Sequence, residues 1–495
     1  MPDHNSLVDL KQGADAFEVT KNCLSCHEKE GEAILKTAHW NWHGSSVYTV
    51  GHENRNDLGK NNLTINNFCI NLNGNESECT SCHIGYGWKD KNFDFSDPEN
   101  IDCLVCHDTT GKYNKLHGDA GMPNPKVDLV EVAKNVGRPT KANCGENCHF
   151  RGGGDAVKHG DMSDSLLKTS SNHDVHMGVD REGMNFRCQD CHKTRNHMIS
   201  GRSISVPAVE GDLSCEYCHT DKPHIKDSSA SAYHLNKHSE HVACQTCHIP
   251  IYSKNNPTKI EWDWSTAGKD IEPPKDKYGK PMYAKKKGSF KWKEAGKPSY
   301  LWYNGTVERY LLGDQIDDDG VTELNYPVGS KKDPASRIYP FKVHKGKQIS
   351  DAVLKRLVAP KLWDEYWKNF DWAKAAEKGM EAAGLEYSGE YEFVDTIMYW
   401  GITHEVMPKE NALSCANCHE SLSKDPYCGT CHENPSDIDF KKLSTQGIDF
   451  HKLALEGRDV KDLIGKTNYL DFKALGYDGD PIKTGSRFQK LPLNK

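Results

Sequence analysis

The sequence has no long apolar run and no excess of positive charge. No stretch of about 18 consecutive apolar residues occurs, which excludes an ordinary membrane-spanning helix. Lys and Arg number 63 against 71 Asp and Glu, and the formal net charge of -8 argues against nucleic acid as a partner. Only 36% of the 495 residues are hydrophobic, which is little for a chain of this length. Buried cofactors would supply the missing apolar core.

Other absences concern processing and repeats. The first ten residues, MPDHNSLVDL, are polar and contain no signal-peptide core. No sequence repeat of fixed period is present, which argues against a solenoid or a propeller. The stretch from Ile249 to Ala412 contains no cysteine, although cysteine is frequent on both sides of it.

Eighteen of the 19 cysteines fall in pairs that end in Cys-His. Eight pairs follow C-x-x-C-H, and they are Cys23, Cys26 and His27; Cys79, Cys82 and His83; Cys103, Cys106 and His107; Cys188, Cys191 and His192; Cys215, Cys218 and His219; Cys244, Cys247 and His248; Cys415, Cys418 and His419; and Cys428, Cys431 and His432. A further pair, Cys144 and Cys148 with His149, has one extra residue between its cysteines.

The C-x-x-C-H pattern is typical of covalent attachment of haem c. On one helical turn, both sulfurs reach the vinyl groups and the following imidazole becomes an axial ligand of the iron. Zinc knuckles, thioredoxin-like redox pairs and disulfides share parts of the pattern, but eight copies with an adjacent histidine favour haem. Because haem c is attached to exported protein, we expect a periplasmic or extracellular location and a cleaved signal peptide that this numbering omits.

The spacing of the motifs predicts three regions. Residues 1–250 carry seven motifs and the expected active site, residues 251–404 are rich in aromatics and lysine, and residues 405–495 carry two motifs and a polar tail. We predict a mainly α fold with extensive irregular loops and little β structure, organised around a packed haem array. In the middle region, hairpins or loops should precede long helices over about Ile349–Gly384, with a break or kink at Pro360.

The other histidines can supply the second axial ligands. The chain has 25 histidines, and 16 remain outside the motifs, enough to close most haems. A bis-histidine iron suits electron transfer, whereas an open or exchangeable position permits substrate chemistry. The predicted second ligands are His39, His117, His159, His176, His197, His224, His238, His344, His404 and His451.

Six sequence blocks stand out along the chain: HWNWHG at His39–Gly44, CHFRGGGDAVKHGD at Cys148–Asp161, VACQTCHIP at Val242–Pro250, FKVHKGKQ at Phe341–Gln348, HEVMPKENALSCANCH at His404–His419, and ALGYDGDP near the C-terminus. Together and in this order they resemble the octahaem tetrathionate reductase family of multihaem cytochromes c. The resemblance extends over about residues 20–480.

The resemblance implies a catalytic haem that takes a lysine as its distal ligand. The matching residue is Lys158, and the haem it would cap is the one on the second motif. The family has a cysteine outside its motifs beside this pocket, and Cys69 matches it. Lysine must lose its proton to bind iron, which burial and ferric charge both favour, and a released amine can then act as an acid. Asp155, on the same glycine-rich loop, is a candidate for orienting Lys158 or relaying its proton.

Two departures from the family pattern affect the haem count. The extra residue between Cys144 and Cys148 rotates the second cysteine by ~100° about a helix axis, so the turn must bulge. Haem is expected there, with a Cys144–Cys148 disulfide as the alternative. The motif at 428–432 lies in an insertion; if it is loaded, the chain carries nine haems rather than eight, with His451 as the candidate distal ligand.

The leading hypothesis is an exported multihaem oxidoreductase that passes electrons along bis-histidine haems to the Lys158-capped haem. There a small inorganic compound such as tetrathionate, nitrite or hydroxylamine is reduced. The alternative is a non-catalytic electron conduit in which every haem is closed. The expected partners are this inorganic substrate and a redox protein or quinol-linked cytochrome, and the chain is compatible with a homo-oligomer.

Overall fold

The structure is a computed structural model that describes residues 3–150, 157–203, 205–224, 230–316, 320–419 and 469–484. Asp155, Cys428, Cys431, His432 and His451 lie outside these residues, so their predicted roles stay predictions. Within the described ranges, no helix combines the length and the apolarity that a membrane span needs.

The helices of the described residues are mostly short. They are α1 (Ala16–Ile34), α2 (Ala38–Asn41), α3 (Glu76–Cys79), α4 (Leu104–His107), α5 (Leu129–Lys134), α6 (Lys141–Cys144), α7 (Cys188–Cys191), α8 (Ala230–His238), α9 (Cys244–His248), α10 (Trp367–Asn369), α11 (Trp372–Ala383), α12 (Cys415–Cys418) and α13 (Pro481–Thr484). Several are single turns that begin or end within a cysteine motif. Irregular loops connect them, as predicted.

Helix α1 carries the first motif. Asp15 and Glu18 form a capping box at its start, in which each side chain accepts a hydrogen bond from the other residue's backbone N–H. His27 departs from helical geometry inside the helix, at φ -117° and ψ 38°. The motif therefore kinks even the longest helix of the described residues.

The strands are β1 (His43–Gly44), β2 (Leu58–Gly59), β3 (Thr194–Arg195), β4 (Met198–Ile199), β5 (Thr258–Asp263), β6 (Tyr283–Ala284), β7 (Gly288–Lys293), β8 (Ser299–Tyr303), β9 (Thr306–Arg309), β10 (Thr322–Glu323), β11 (Asn325–Val328), β12 (Arg337–Asp351), β13 (Arg356–Leu357) and β14 (Tyr391–Gly401). Eight of them form one sheet in the order β10-β14-β12-β5-β7-β6, with β13 and β8 also paired to β12. The expectation of little β structure is therefore not confirmed.

Strand β12 is the centre of this sheet. It pairs antiparallel with β14 from Phe341–Gly401 to Asp351–Tyr391 and parallel with β5. Most of its residues are buried, including the polar Lys342 and His344. Because both faces of β12 are covered, its sequence lacks the alternation of polar and apolar residues that marks a half-exposed strand.

The predicted long helices over Ile349–Gly384 are wrong in their first half. Ile349 belongs to β12, which ends at Asp351. The helix α11 begins only at Trp372, and Asp371 before it accepts a hydrogen bond from the backbone N–H of Lys374. Gly384, at φ 69°, ends it in the left-handed conformation that glycine adopts without strain. The chain around Pro360 is not helical, which agrees with the expected break.

One core joins the sheet to the loops of the N-terminal region. It contains Trp262 and Trp400 of the sheet together with Phe68 and Val157, which are buried almost completely. Phe68 precedes Cys69, and Val157 precedes Lys158. The sheet is thus the platform on which both loops rest. The division into three regions stays a prediction.

Candidate functional site

The cysteine motifs face a large cavity. Its volume is about 2570 Å³, and it is lined by both cysteines of each of the first six motifs. Five of the six motif histidines also line it, namely His27, His107, His149, His192 and His219. Paired thiols with adjacent imidazoles around one continuous space fit an array of covalently attached haems.

Thiols of different motifs are in direct contact. Hydrogen-bonding contacts join Cys23 with Cys103, Cys82 with Cys148, Cys144 with Cys188, and Cys215 with Cys244. Three further pairs of thiols are close enough for a charge on one to raise the pKa of the other, namely Cys106 with Cys148, Cys191 with Cys218, and Cys247 with Cys415. When the motifs are numbered in the order of the sequence, neighbours in space follow the order 1-3-4-5-6-7-8, and the second motif is attached to this row as a branch at the fourth.

Six motif histidines each face a histidine from outside the motifs. The ring centres are 6.3 Å apart for His4 and His27, 6.4 Å for His107 and His197, 6.1 Å for His39 and His149, 6.4 Å for His192 and His404, 6.1 Å for His176 and His219, and 6.2 Å for His238 and His419. Metal–imidazole bonds are about 2 Å long, so two rings on opposite sides of one metal have centres about 6 Å apart. The spacing fits a bis-histidine iron in all six pairs.

The hydrogen bonds of the motif histidines also fit this role. Nδ1 of His107 lies 2.8 Å from the Gly137 carbonyl, and Nδ1 of His192 lies 2.9 Å from the Ser200 carbonyl. A histidine that binds a metal through one nitrogen usually donates the other to a carbonyl or carboxylate. In both rings Nε2 is left for iron.

His4 is a residue that sequence reasoning missed. It lies in the N-terminal segment, far from any cysteine in sequence, and it reaches the first motif only because the segment before α1 folds back. No local spacing signals such a contact. By contrast, His197 and His238 were predicted as ligands because they lie near motifs in the sequence, and the structure places them opposite histidines of two other motifs.

The other predicted ligands differ in their positions. Among the histidines, a charge on His224 would lower the pKa of His248 most, so the two residues lie near each other. A role of His224 as an axial ligand stays a prediction. His117 lies beside the second motif, with its Nδ1 3.3 Å from the Ser81 hydroxyl, and it lines the same cavity. Its role as an axial ligand stays a prediction. His159 is buried, and its Nδ1 lies 3.1 Å from the Gly401 carbonyl.

His344 is buried in the core of the sheet. Its Nδ1 donates to Asn67 Oδ1 at 2.8 Å, and Asn67 Nδ2 donates to the His344 carbonyl at 3.0 Å. Nε2 of His344 is buried without a hydrogen-bond partner among the described residues. His344 thus anchors the Asn67 loop, and its role as a haem ligand stays a prediction.

His83 is enclosed by aromatic rings. Trp88, Trp40 and Trp42 surround it at ring-centre distances of 4.8, 5.1 and 5.4 Å, and its Nε2 lies 2.7 Å from the Trp40 carbonyl. Its Nδ1 is buried without a hydrogen-bond partner in the described part of the chain. The role of His83 as an iron ligand stays a prediction.

A buried ion pair holds the second and third motifs together. Lys115 Nζ lies 2.7 Å from Asp102 Oδ2, and the two side chains are 1% and 0% exposed. The same ammonium donates to the carbonyls of His83 at 2.7 Å and Gly85 at 3.1 Å. Asp102 directly precedes Cys103, so the pair connects the end of one motif to the start of the next.

Replacing Asp102 by Asn should lower the free energy of unfolding by about 3–5 kcal/mol, because it leaves a buried ammonium without its carboxylate. Chemical denaturation of the haem-loaded protein followed by far-UV circular dichroism measures this. Glu131→Gln is the matched control, since it breaks the exposed pair of Lys112 and Glu131 and should leave the denaturation midpoint unchanged. Equal midpoints for both variants would contradict the expectation.

Lys158 lies in the cavity wall beside the second and fourth motifs. Burial lowers the pKa of its amine below the ordinary lysine value, and nearby Lys60 lowers it further. The sulfurs of Cys82, Cys69 and Cys148 act on this pKa in the opposite direction, as groups close to the amine. The structure thus brings Lys158 and Cys69 together at the second motif; their catalytic roles stay predictions.

The loop that carries Lys158 is held from the sheet. The ammonium of Lys342, which is fully buried on β12, donates to the Val157 carbonyl and to the Thr258 hydroxyl. Gly160 takes a φ of +88°, and a Cβ there would meet Tyr252 and Thr258 at 2.9 and 3.0 Å. The turn after Lys158 therefore requires glycine.

The loop that carries Cys69 is held by Asn66. Its Oδ1 accepts hydrogen bonds from the backbone N–H groups of Cys69 at 2.7 Å and of Phe68 and Ile70 at 3.1 Å each. Ile70 adopts the left-handed conformation at φ 67°. Asn66 thus fixes the direction of Cys69, a role that the sequence alone did not indicate.

Comparison with known proteins agrees with this geometry. The chain is similar to the crystal structure of an octahaem cytochrome c from Shewanella oneidensis, with a TM-score of 0.80 and 42% identity over 98% of each chain. This chain belongs to the octahaem cytochrome c family. Octahaem cytochromes c are multihaem electron-transfer or oxidoreductase proteins, and this member carries haem c.

Family models match three parts of this octahaem cytochrome c. They describe cytochrome c554 and c-prime at residues 22–108, cytochrome c7 and related cytochrome c at residues 169–259, and bacterial cytochrome c at residues 259–422. An uncharacterized protein of Archaeoglobus fulgidus is 24% identical over 265 residues, covering 42% of this chain and 84% of that protein.

Proposed function

We propose that this chain is an exported multihaem oxidoreductase that reduces a small inorganic substrate at a Lys158-capped haem on the second motif. Covalently held haems supply one-electron steps, and bis-histidine ligation suits them to relay those electrons. The proposed substrates are oxidised sulfur compounds such as tetrathionate, or nitrogen compounds such as nitrite and hydroxylamine.

The observation that carries the proposal is the position of Lys158. Its amine is close to Cys82 and Cys69, whereas six other described motifs face a histidine at 6.1–6.4 Å. A lysine bound at one iron among bis-histidine irons makes that iron the exchangeable one, because the amine can leave and be protonated. The position of the second motif on a branch also supports an exchangeable iron there, since a haem at the end of a branch can receive electrons without interrupting the relay.

The pocket residues would act on the substrate as follows. Lys158, once released and protonated, places a positive charge beside an anionic substrate and can return a proton. Cys69 places a thiol next to the same space. Asp155 would orient Lys158 or exchange its proton. For tetrathionate, two electrons from the relay break the central S–S bond and give two thiosulfate ions, and no proton is consumed.

The physiological setting is part of the proposal. Haem c attachment points to a periplasmic or extracellular location, and the donor is expected to be a redox protein or a quinol-linked cytochrome. A ninth haem on the motif at 428–432 would extend the relay from the eighth motif, whose Cys415 and Cys418 lie next to Cys247.

EPR of the fully oxidised protein tests the proposal, before and after addition of tetrathionate, nitrite or hydroxylamine. We expect one signal distinct from bis-histidine haem, present at one haem per chain, that changes with at least one of the compounds. Uniform bis-histidine signals that respond to none of these compounds would contradict the enzyme hypothesis and favour the non-catalytic electron conduit.

A further inference from the structure

Asp161 joins the loop of Lys158 to the segment that carries His404. Its carboxylate is fully buried, and Oδ2 accepts hydrogen bonds from the backbone amides of Thr403 at 2.6 Å and His404 at 2.8 Å. Lys158 lies on the same loop as Asp161. Two segments that are far apart in the sequence, one with each proposed iron ligand, are therefore fastened by one side chain.

The same carboxylate faces the imidazole of His404. Nδ1 of His404 lies 3.5 Å from Asp161 Oδ2 and 3.1 Å from the Thr403 hydroxyl, while the ring faces His192 of the fifth motif. The other oxygen, Oδ1, is buried without a hydrogen-bond partner among the described residues, and His159 Nδ1 is 3.9 Å from it.

Asp161 is placed to carry a negative charge despite its burial. Its Oδ2 accepts two backbone N–H groups and faces the His404 imidazole, and hydrogen bonds donated to a carboxylate favour its ionised form. A fixed negative charge beside an axial imidazole raises the basicity of that ligand and favours the ferric state of the iron.

We infer that Asp161 is a positioning residue that lowers the reduction potential of the haem on the fifth motif and holds the Lys158 loop in register with it. The first effect requires only that His404 and His192 share an iron. The second rests on the proposed function, because it requires Lys158 to be a ligand of the haem on the second motif.

Asp480 provides a matched comparison within the chain. Its Oδ1 lies 2.8 Å from Nδ1 of His419, the histidine of the eighth motif. Both carboxylates thus face the imidazole of a proposed axial ligand, but Asp161 belongs to the Lys158 loop, whereas Asp480 belongs to the C-terminal segment and contacts the eighth motif. Asp161→Asn and Asp480→Asn remove the same charge at two haems that differ in this respect.

The test is an EPR-monitored potentiometric titration of both variants, after mass spectrometry has shown unchanged haem content. Asp161→Asn should shift the midpoint potential of one haem to more positive values and change the signal of the lysine-ligated haem. Asp480→Asn should shift the potential of a different haem and leave the lysine-ligated signal unchanged. Thr403→Val removes the alternative hydrogen-bond acceptor of His404 and should leave the low potential in place.

Unchanged potentials in Asp161→Asn, or a positive shift in Thr403→Val as large as in Asp161→Asn, would overturn the first effect. A lysine-ligated signal that Asp161→Asn leaves unaltered would overturn the second. If Asp161→Asn does not mature, Asp161→Glu keeps the charge and must keep the low potential while it alters the lysine-ligated signal. A failure of the proposed function itself would be seen in a different variant, because the spectrum of Lys158→Met would then be identical to that of the parent protein.

Discussion

Lys158→Met abolishes most of the substrate reduction and leaves the relay intact. We expect the rate of reduction of the responsive inorganic compound to fall by about 10²–10⁴-fold, the range that loss of a positioned acid or of a stabilising charge costs. One haem should change to an open or differently ligated form, while the bis-histidine signals keep their shape. Steady-state assays with an artificial donor, together with EPR and absorption spectra, measure both effects.

The control for this variant is Lys280→Met. Lys280 lines the same cavity but lies beside Trp292, on the sheet side, and not on the loop of Lys158. This variant should keep every haem signal and most of the activity. An unaltered spectrum in Lys158→Met would remove Lys158 as a ligand and with it the exchangeable haem.

The pH dependence of the lysine-ligated signal gives a second check on the parent protein. Only the unprotonated amine binds iron, so the signal should grow as the pH rises through the pKa of Lys158 and fade below it. Because burial lowers that pKa, the transition should lie below the ordinary lysine range. A signal that strengthens on acidification would contradict lysine ligation.

The motif residues could be predicted because haem attachment is a local requirement. Two sulfurs and an imidazole on one turn are visible in five consecutive letters, and the cavity lining agrees with them. His197 and His238 were predicted as distal ligands because each lies close to a motif in sequence, yet the structure places them opposite His107 and His419 of other motifs. Lys158 and Cys69 were proposed from sequence blocks that resemble one family, not from spacing.

The long-range contacts could not be predicted in the same way. His4 meets His27, and Asp161 meets His404, only after distant segments have packed, and nothing in their neighbouring letters indicates it. The sheet was missed for a related reason. The β12 segment contains Lys342, His344 and Gln348, which are fully buried yet polar, so the strand resembles a solvated loop until its hydrogen-bond partners are known.

The sheet also explains why so many polar residues are buried in this chain. Buried polar side chains of β12 hydrogen-bond to the loops, Lys342 to the Val157 carbonyl and His344 to the Asn67 side chain. These contacts fix the two loops that present Lys158 and Cys69. Such a support suits the proposed role of Lys158, because a ligand that dissociates and rebinds must be held by its loop within reach of the iron.

The double variant Cys428→Ala/Cys431→Ala should lose one whole haem from the intact mass. The motif at 428–432 has the spacing that attachment requires, and it is predicted to lie in an insertion, so that it would add a haem to the eight of the family instead of replacing one of them. Intact-mass spectrometry and the haem-to-protein ratio from absorption measure the loss. The parent protein should then carry nine haems.

The matched control is Cys415→Ala/Cys418→Ala, which removes the eighth motif and should also cost one haem. If only this control loses haem, the motif at 428–432 is empty and eight is the upper limit. The parent count decides the remaining alternative, because a count of eight together with a loss from both variants would assign Cys144 and Cys148 to a disulfide. That result would also remove the fourth haem, which joins the second motif to the relay, and electrons would then have to reach Lys158 by another route.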